Sequence, residues 1–213
     1  MKKNTFIFVV MMALLSGCGS SQQIAVSGAR LNTQNTPGKK YNSIFLAVLT
    51  DRYAIKTAIE DNLANTITAS GYRVVKSSEV FAPNFTPQNA PDKETLVNKI
   101  RKTGCDIIFT VAMVDEHSEI RCPADSIRYI PYAVYGGTFW GYYQYWYPRG
   151  YQPGYITPDK NYFIEGNLFD VRTGRIVWSI QTRVDNSLNL ERSIEEYEAA
   201  LWERLEKDFF KNQ

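Results

Sequence analysis

The sequence predicts an α+β domain built on a mixed β-sheet, with elements in the order β-α-β-α-β, a long aromatic loop, then β-β-α. Three patterns lead to this prediction: two early strand–helix units, a hairpin pattern around Gly174, and a helical stripe near the C-terminus. Strand–helix units favour parallel strands, whereas a hairpin is antiparallel. We therefore expect one mixed sheet that carries its helices mainly on one face.

The first unit begins with residues 43–49, SIFLAVL, an apolar run of strand length that suits a strand covered on both faces. Thr50 or Asp51 is expected to cap the helix that follows. Gly71 stands where a left-handed C-terminal cap is expected. Between these caps an apolar residue recurs at every fourth position: Ile55, Ile59, Leu63 and Ile67. This spacing predicts one buried helical face.

The second unit starts with a strand at residues 72–75 and continues, after a proline-containing loop, into a helix capped by Asp92. This helix is expected to turn Leu96, Val97 and Ile100 inward and to stop at Gly104. Residues 106–114 form the most strand-like run in the chain.

Residues 162–171 and 175–184 are rich in β-forming residues and are expected to form a hairpin with Gly174 in its turn. Ser193 and Glu196 have the spacing of a capping box for a last helix. The apolar stripe of that helix comprises Ile194, Tyr197, Leu201, Leu205 and Phe209.

Residues 1–17 have the pattern of a secretory signal peptide: Lys2 and Lys3 precede an apolar stretch that is too short to span a bilayer. The succession Leu15, Ser16, Gly17, Cys18 resembles the lipobox of bacterial lipoproteins. The resemblance implies cleavage before Cys18 and acylation of that cysteine with chains such as palmitate. The alternative is an ordinary secretory signal in which the cysteine occurs by chance.

Gly19 follows the cysteine, where an aspartate in many Gram-negative lipoproteins retains the protein in the inner membrane. Its absence favours an outer-membrane location facing the periplasm. Residues 18–40 are polar and lack a helix or strand period, which predicts a lipidated N-terminus and a flexible tether. We therefore expect a single domain at residues 41–213 with an inserted segment at residues 129–160.

From about Tyr41 to Phe210, the order of elements and the phrase NLFDVRTGRIVWS resemble small periplasmic α/β lipoprotein domains. These include the curli-secretion lipoproteins and the activator lipoproteins of cell-wall synthases. The run GCDIIFTVAMVD, followed by a Tyr/Gly-rich loop and this hairpin, is also similar to bacterial lipoproteins of unassigned function. The resemblance implies the fold but carries no catalytic motif, and the tyrosine-rich insertion departs from the better-characterised groups.

The chain offers little for catalysis or for cofactor binding. Its one histidine, His117, lies among acids that would share a strand face with it, Asp115 and Glu119, but a solvated strand end explains this cluster better than a metal site. We expect no enzyme activity, cofactor or metal. Cys105 and Cys122 are the remaining thiols, and their pairing is left open because the intervening strand would separate them.

The strongest anomaly is a segment between Tyr129 and Tyr155 that holds 9 of the 14 tyrosines among several glycines. Such rings suit protein interfaces, membrane headgroups and sugar stacking, although some of them can instead cover the sheet, above all Tyr129, Tyr132 and Tyr135. The predicted contact residues lie at its centre: Phe139, Trp140, Tyr142, Tyr143, Tyr145, Trp146 and Tyr147.

These patterns predict a non-enzymatic envelope lipoprotein that binds or helps assemble an envelope protein through its aromatic loop. The alternative is a module for peptidoglycan or lipopolysaccharide, in which the Trp140 and Trp146 rings stack on sugars. Without the signal peptide, 22 basic residues balance 22 acidic ones, which argues against a nucleic-acid partner.

Overall fold

A computed structural model of the chain describes residues 24–32, 39–50, 52–81, 91–114, 136–150, 162–184 and 190–212. Its strands are β1 Ile24–Leu31, β2 Ser43–Leu49, β3 Arg73–Lys76, β4 Ile107–Val114, β5 Tyr162–Asp170 and β6 Ile176–Val184. Its helices are α1 Tyr53–Ala69, α2 Ser77–Val80, α3 Lys93–Lys102, α4 Phe139–Gly150 and α5 Leu190–Asp208, followed by a 3-10 turn at Phe210–Asn212.

The strands form one mixed sheet in the order β1-β6-β5-β4-β2-β3. The strands β3, β2 and β4 run parallel to one another, whereas β5, β6 and β1 are joined by antiparallel pairing. The predicted α+β class, mixed sheet and late hairpin are therefore confirmed.

The strand β1 was not expected, and it corrects the prediction that residues 18–40 form a flexible tether. Ile24 pairs with Val184 and Leu31 with Trp178, so this stretch is an edge strand of the sheet. The register shifts between Val26 and Gly28, which marks a bulge. The folded domain accordingly includes residues 24–31, which lie outside the predicted bounds of 41–213.

The two faces of the sheet carry separate apolar clusters, as β2 shows. Ile44, Leu46 and Val48 pack in the cluster under α1 and α5, whereas Phe45 and Ala47 pack in the cluster under α3 and α4. This division follows from the alternation of side chains along a strand. The two longest helices share one face as expected, but α3 and α4 cover the opposite face, which the prediction left largely open.

Helix α5 lies very close to the centre of the sheet. A Cβ atom added to Gly166 on β5 would lie 3.0 Å from Ile180 Cγ2 and 3.1 Å from Leu201 Cδ1. The predicted stripe is confirmed at Tyr197, Leu201, Leu205 and Phe209, all of which are buried. The predicted capping box is wrong, because α5 begins at Leu190 and Ser193 lies inside it.

Only one of the two early helix starts has the expected cap. The Asp92 carboxylate accepts a hydrogen bond from the Thr95 N–H at 2.8 Å, as predicted for α3. Helix α1 begins one residue later than an Asp51 cap and two residues later than a Thr50 cap would place it, with Arg52 as the capping residue and no side-chain hydrogen bond to the first turn.

Glu60 is a fully buried carboxylate that joins α1, α2 and the end of β2. One of its oxygens accepts hydrogen bonds from the Val48 N–H at 3.1 Å and the Ser77 hydroxyl at 2.6 Å, and the other accepts from the Ser78 N–H at 2.9 Å. The Lys56 ammonium lies 3.9 Å away. This carboxylate of α1 therefore accepts hydrogen bonds from two other elements, β2 and α2.

The β5–β6 hairpin has Gly174 in the left-handed region, with φ of 67°, as the sequence predicts. The buried Asp170 at its base accepts hydrogen bonds from the Thr173 N–H at 2.8 Å, the Lys39 ammonium at 2.7 Å and the Tyr41 hydroxyl at 3.1 Å. Burial alone would raise the pKa of Asp170, but these hydrogen bonds outweigh it and the pKa lies below its usual value. The hairpin is thereby fixed to the segment that enters β2.

Candidate binding site

The centre of the aromatic segment is the helix α4 and not the loop that the sequence predicts. The Thr138 hydroxyl accepts a hydrogen bond from the Gly141 N–H at 3.2 Å and so caps its first turn. Backbone hydrogen bonds from Phe139 N–H to Gly174 O and from Ile176 N–H to Gly137 O join this start to the hairpin. Contact with the hairpin therefore fixes where the helix begins.

Burial corrects the prediction that all of these rings form an exposed contact surface. Phe139, Tyr142 and Tyr143 are buried in the sheet cluster. The Phe169 ring on β5 lies 5.7 Å from the Phe139 ring and 5.5 Å from the Tyr142 ring, centroid to centroid. These three residues are core, because the sheet face beneath α4 is itself apolar and must be covered.

Trp140 and Tyr145 remain half-buried at the edge of α4. The Trp140 ring stacks on the Tyr143 ring with centroids 5.7 Å apart and an angle of 23°. The side chains of Trp146 and Tyr147, together with Tyr129, Tyr132 and Tyr135, lie outside the described part. Of the predicted contact residues, the structure therefore leaves Trp140 and Tyr145 partly accessible on the described surface.

Trp140 lies at the edge of an open cleft between α3, the start of α4 and the β5–β6 turn. We call it the basic cleft. Its floor is apolar and its rim carries two basic side chains and two threonines. The floor comprises Val97, Ile100, Ile108, Phe139 and Val171, and the rim comprises Lys93, Arg101, Thr138, Trp140, Thr173 and Gly174. The cleft is open to solvent.

The rim has an unbalanced positive charge. Lys93 and Arg101 are exposed on α3, and within the described ranges neither has an acidic partner. Ion pairs neutralise Lys39, Lys56, Lys76, Arg204 and Lys211, whereas Lys102 and Arg172 are exposed cations of the described ranges that likewise have no ion pair. An anionic group at the rim would therefore meet two cations that form no ion pair with a carboxylate of the described residues.

A second, narrower cleft lies at the carboxyl end of β2, on the other side of Phe139. Apolar side chains line most of it, including Phe45, Phe81 and Leu96, with Lys56 at one end. Burial lowers the pKa of Lys56, and the carboxylate of Glu60 only partly opposes this shift. Because Glu60 is already the ion-pair partner of Lys56, this cleft is less suited to an anion than the basic cleft.

Neither metal nor disulfide chemistry emerges from the described residues. Those residues contain no group of three or more His, Cys, Asp or Glu side chains that could hold a metal ion, and the cluster around His117, including Asp115 and Glu119, lies outside them. Among the described residues Cys105 is a buried free thiol. Cys122 lies outside the described residues. Within them, no helix is long and apolar enough to cross a membrane.

No family model matches this chain, and no curated protein matches it. It is similar to a single-substitution variant of the PelC dodecamer from Paraburkholderia phytofirmans, with 13% identity, a TM-score of 0.43, and coverage of 86% of this chain and 98% of that one. A second PelC dodecamer structure from the same organism gives 15% identity, a TM-score of 0.40, and coverage of 81% and 92%.

The lipoprotein GNA1162 from Neisseria meningitidis is also similar, with 13% identity, a TM-score of 0.38, and coverage of 79% of this chain and 99% of that one. One of these proteins is thus itself described as a lipoprotein. At such identities and TM-scores the likeness is too distant to support a functional conclusion.

The sequence predictions did not include the basic rim of the cleft. Lys93, Val97 and Arg101 follow at four-residue intervals along α3, a spacing that places them on one side of a helix. This spacing can be recognised in the sequence, but the sequence does not show that this side of the helix faces Trp140 and the hairpin turn. The cleft depends on tertiary packing of three segments that are distant in sequence.

Proposed function

We propose that this protein is a lipid-anchored envelope protein without catalytic activity, which holds another envelope component at the basic cleft. The anchor comes from the lipobox-like sequence at Cys18, which lies outside the described residues. The outer membrane, with the domain facing the periplasm, is the proposed location because no aspartate follows the cysteine.

The observation that carries the proposal is the half-buried Trp140 beside an apolar floor and two unpaired cations. Protein interfaces combine a desolvated apolar centre with a polar rim, and tryptophan and arginine are enriched among the residues that dominate their binding energy. The predicted contact surface is thereby reduced to one edge of the helix α4. The buried side chains of Phe139, Tyr142 and Tyr143 hold that edge in place.

A cell-wall glycan or lipopolysaccharide is the second candidate partner. The accessible part of the Trp140 ring favours it, because an indole face can stack on the apolar face of a sugar. Co-sedimentation with purified peptidoglycan separates the two candidates. Loss of co-sedimentation in a Trp140→Ala variant would favour the glycan.

We expect the Cys18→Ala variant to leave the membrane fraction. Several acyl chains contribute about 0.8 kcal/mol for each buried methylene group, and this variant cannot carry the thioether-linked lipid. Fractionation of cells followed by immunoblotting checks the prediction. The Cys105→Ala variant is the matched control and should remain with the membrane, since that thiol is buried in the domain. Equal fractionation of both variants would contradict the anchor.

A photo-reactive benzoylphenylalanine in place of Trp140 should crosslink to an envelope component in living cells. The same probe in place of Glu203, which is exposed on α5, is the control. Mass spectrometry of the products identifies the component. The proposal predicts a discrete product from position 140 that is absent from position 203; no product, or the same products from both, would overturn it.

A further inference from the structure

We propose that the basic cleft binds an extended acidic peptide segment of a partner protein, in which one apolar side chain lies between two carboxylates. This inference rests on the proposed function and deepens it by giving the chemistry of the partner.

The floor of the cleft calls for an apolar group. Ile100, Ile108 and Phe139 are almost completely buried, with exposed fractions of 1%, 3% and 4%, and Val97 and Val171 complete the surface around them. None of these side chains can donate or accept a hydrogen bond. A ligand that fills the floor must therefore present an aliphatic or aromatic side chain there.

The two cations fix the spacing of the negative charges. Lys93 and Arg101 are eight positions apart on α3, and a helix rises about 1.5 Å per residue, so their backbone positions are about 12 Å apart along its axis. Val97 lies midway between them. An extended peptide rises about 3.3 Å per residue, so acidic residues at positions i and i+4 span about 13 Å with their side chains on one face. The residue at i+2 then faces the floor.

The apolar floor, more than the hydroxyl groups at the rim, favours a peptide over a sugar. The Thr138 hydroxyl already accepts the Gly141 N–H, and the Thr173 hydroxyl accepts the Arg175 N–H at 3.2 Å. A glycan would expose many hydroxyls to a floor without polar atoms. A segment with the pattern acidic–apolar–acidic instead places an apolar side chain on the apolar floor and its carboxylates beside the two cations of the rim.

The test uses fluorescence anisotropy with the detergent-solubilised full-length protein and a labelled peptide, acetyl-Thr-Asp-Thr-Leu-Thr-Asp-Thr-amide. We expect this peptide to bind and its affinity to fall as salt rises, because the contacts are charged. A peptide with lysine in place of both aspartates should not bind. Moving the aspartates next to the leucine should weaken binding, since they then face away from the two cations.

The Lys93→Met and Arg101→Met variants should each weaken binding of the acidic peptide about two- to fivefold, the effect of losing an exposed ion pair. Lys102→Met is the matched control, since Lys102 is exposed on the same helix but does not line the cleft. Binding of the lysine peptide as tightly, or unchanged binding in both cleft variants, would overturn the inference. Failure of the acidic peptide to bind would also overturn it.

The inference and the proposed function fail in different ways. A specific crosslink from position 140, together with no binding of the acidic peptide, would keep the binding function and reject the peptide chemistry. Co-sedimentation with peptidoglycan that is lost in the Trp140→Ala variant, together with no binding of the acidic peptide, would assign the cleft to glycan. Absence of the crosslink and of peptide binding would reject both.

Discussion

Replacing Glu60 by alanine is expected to destabilise the domain by about 3–5 kcal/mol, the range seen when one partner of a buried charged network is removed. The carboxylate has no exposed surface and accepts hydrogen bonds from Val48, Ser77 and Ser78. Its removal leaves two backbone N–H groups and a hydroxyl without their acceptor, and each such buried group costs about 1–3 kcal/mol. The half-buried Lys56 ammonium also loses its counter-charge.

Urea unfolding of the purified protein, followed by circular dichroism, measures this loss. The matched control is Glu79→Ala, because Glu79 also pairs with a lysine but its side chain is 56% exposed. An exposed pair contributes at most about 1 kcal/mol. Glu60→Gln should fall near the alanine variant, since its amide would place a donor against donors. A Glu60→Ala variant no less stable than Glu79→Ala would contradict this account of the network.

The Phe139→Ala variant should lose about 3–5 kcal/mol of folding free energy, as buried phenylalanines do when truncated to alanine. Phe139 is 4% exposed and its ring packs between Phe169 and Tyr143 on the sheet face. It also contributes to both clefts, so its loss would disturb α4 and the floor of the basic cleft together.

The neighbouring Trp140→Ala variant provides the contrast. Trp140 is half-buried, so we expect it to retain most of the stability while losing the partner contact. Phe139→Leu should cost less than about 1.5 kcal/mol because it keeps the floor apolar and nearly filled. Thermal or urea unfolding separates these outcomes. Greater destabilisation by Trp140→Ala than by Phe139→Ala would reverse the assignment of core and contact residues.

The elements that the sequence predicts correctly are those in which burial sets the spacing of the apolar side chains. The strands β2 and β4 and the apolar stripe of α5 are predicted correctly because one or both faces of each element are apolar. The edge strand β1 was missed for the opposite reason. Backbone pairing with β6 recruits it, and Ser27, Gly28 and Arg30 interrupt any apolar run. Its strand conformation results from pairing with β6 and not from its own amino-acid composition.

The helix α4 was missed because its local preferences are poor. Gly141 and a run of aromatic residues have low helix propensity, so the segment resembles a loop. Burial of Phe139, Tyr142 and Tyr143 against the sheet outweighs that preference. The same burial decides which rings remain for binding, which the linear sequence cannot show.

The pairing of β1 with β6 also changes the mechanics of the anchor. If Cys18 carries the lipid, only five residues, and not a long flexible tether, separate it from Ile24. Six residue steps extend to about 20 Å at most. The Ile24 end of the edge strand β1 would then lie within that distance of the lipid. The domain would sample a small set of orientations rather than a wide hemisphere, so a partner embedded in the same membrane would approach it from a restricted range of directions.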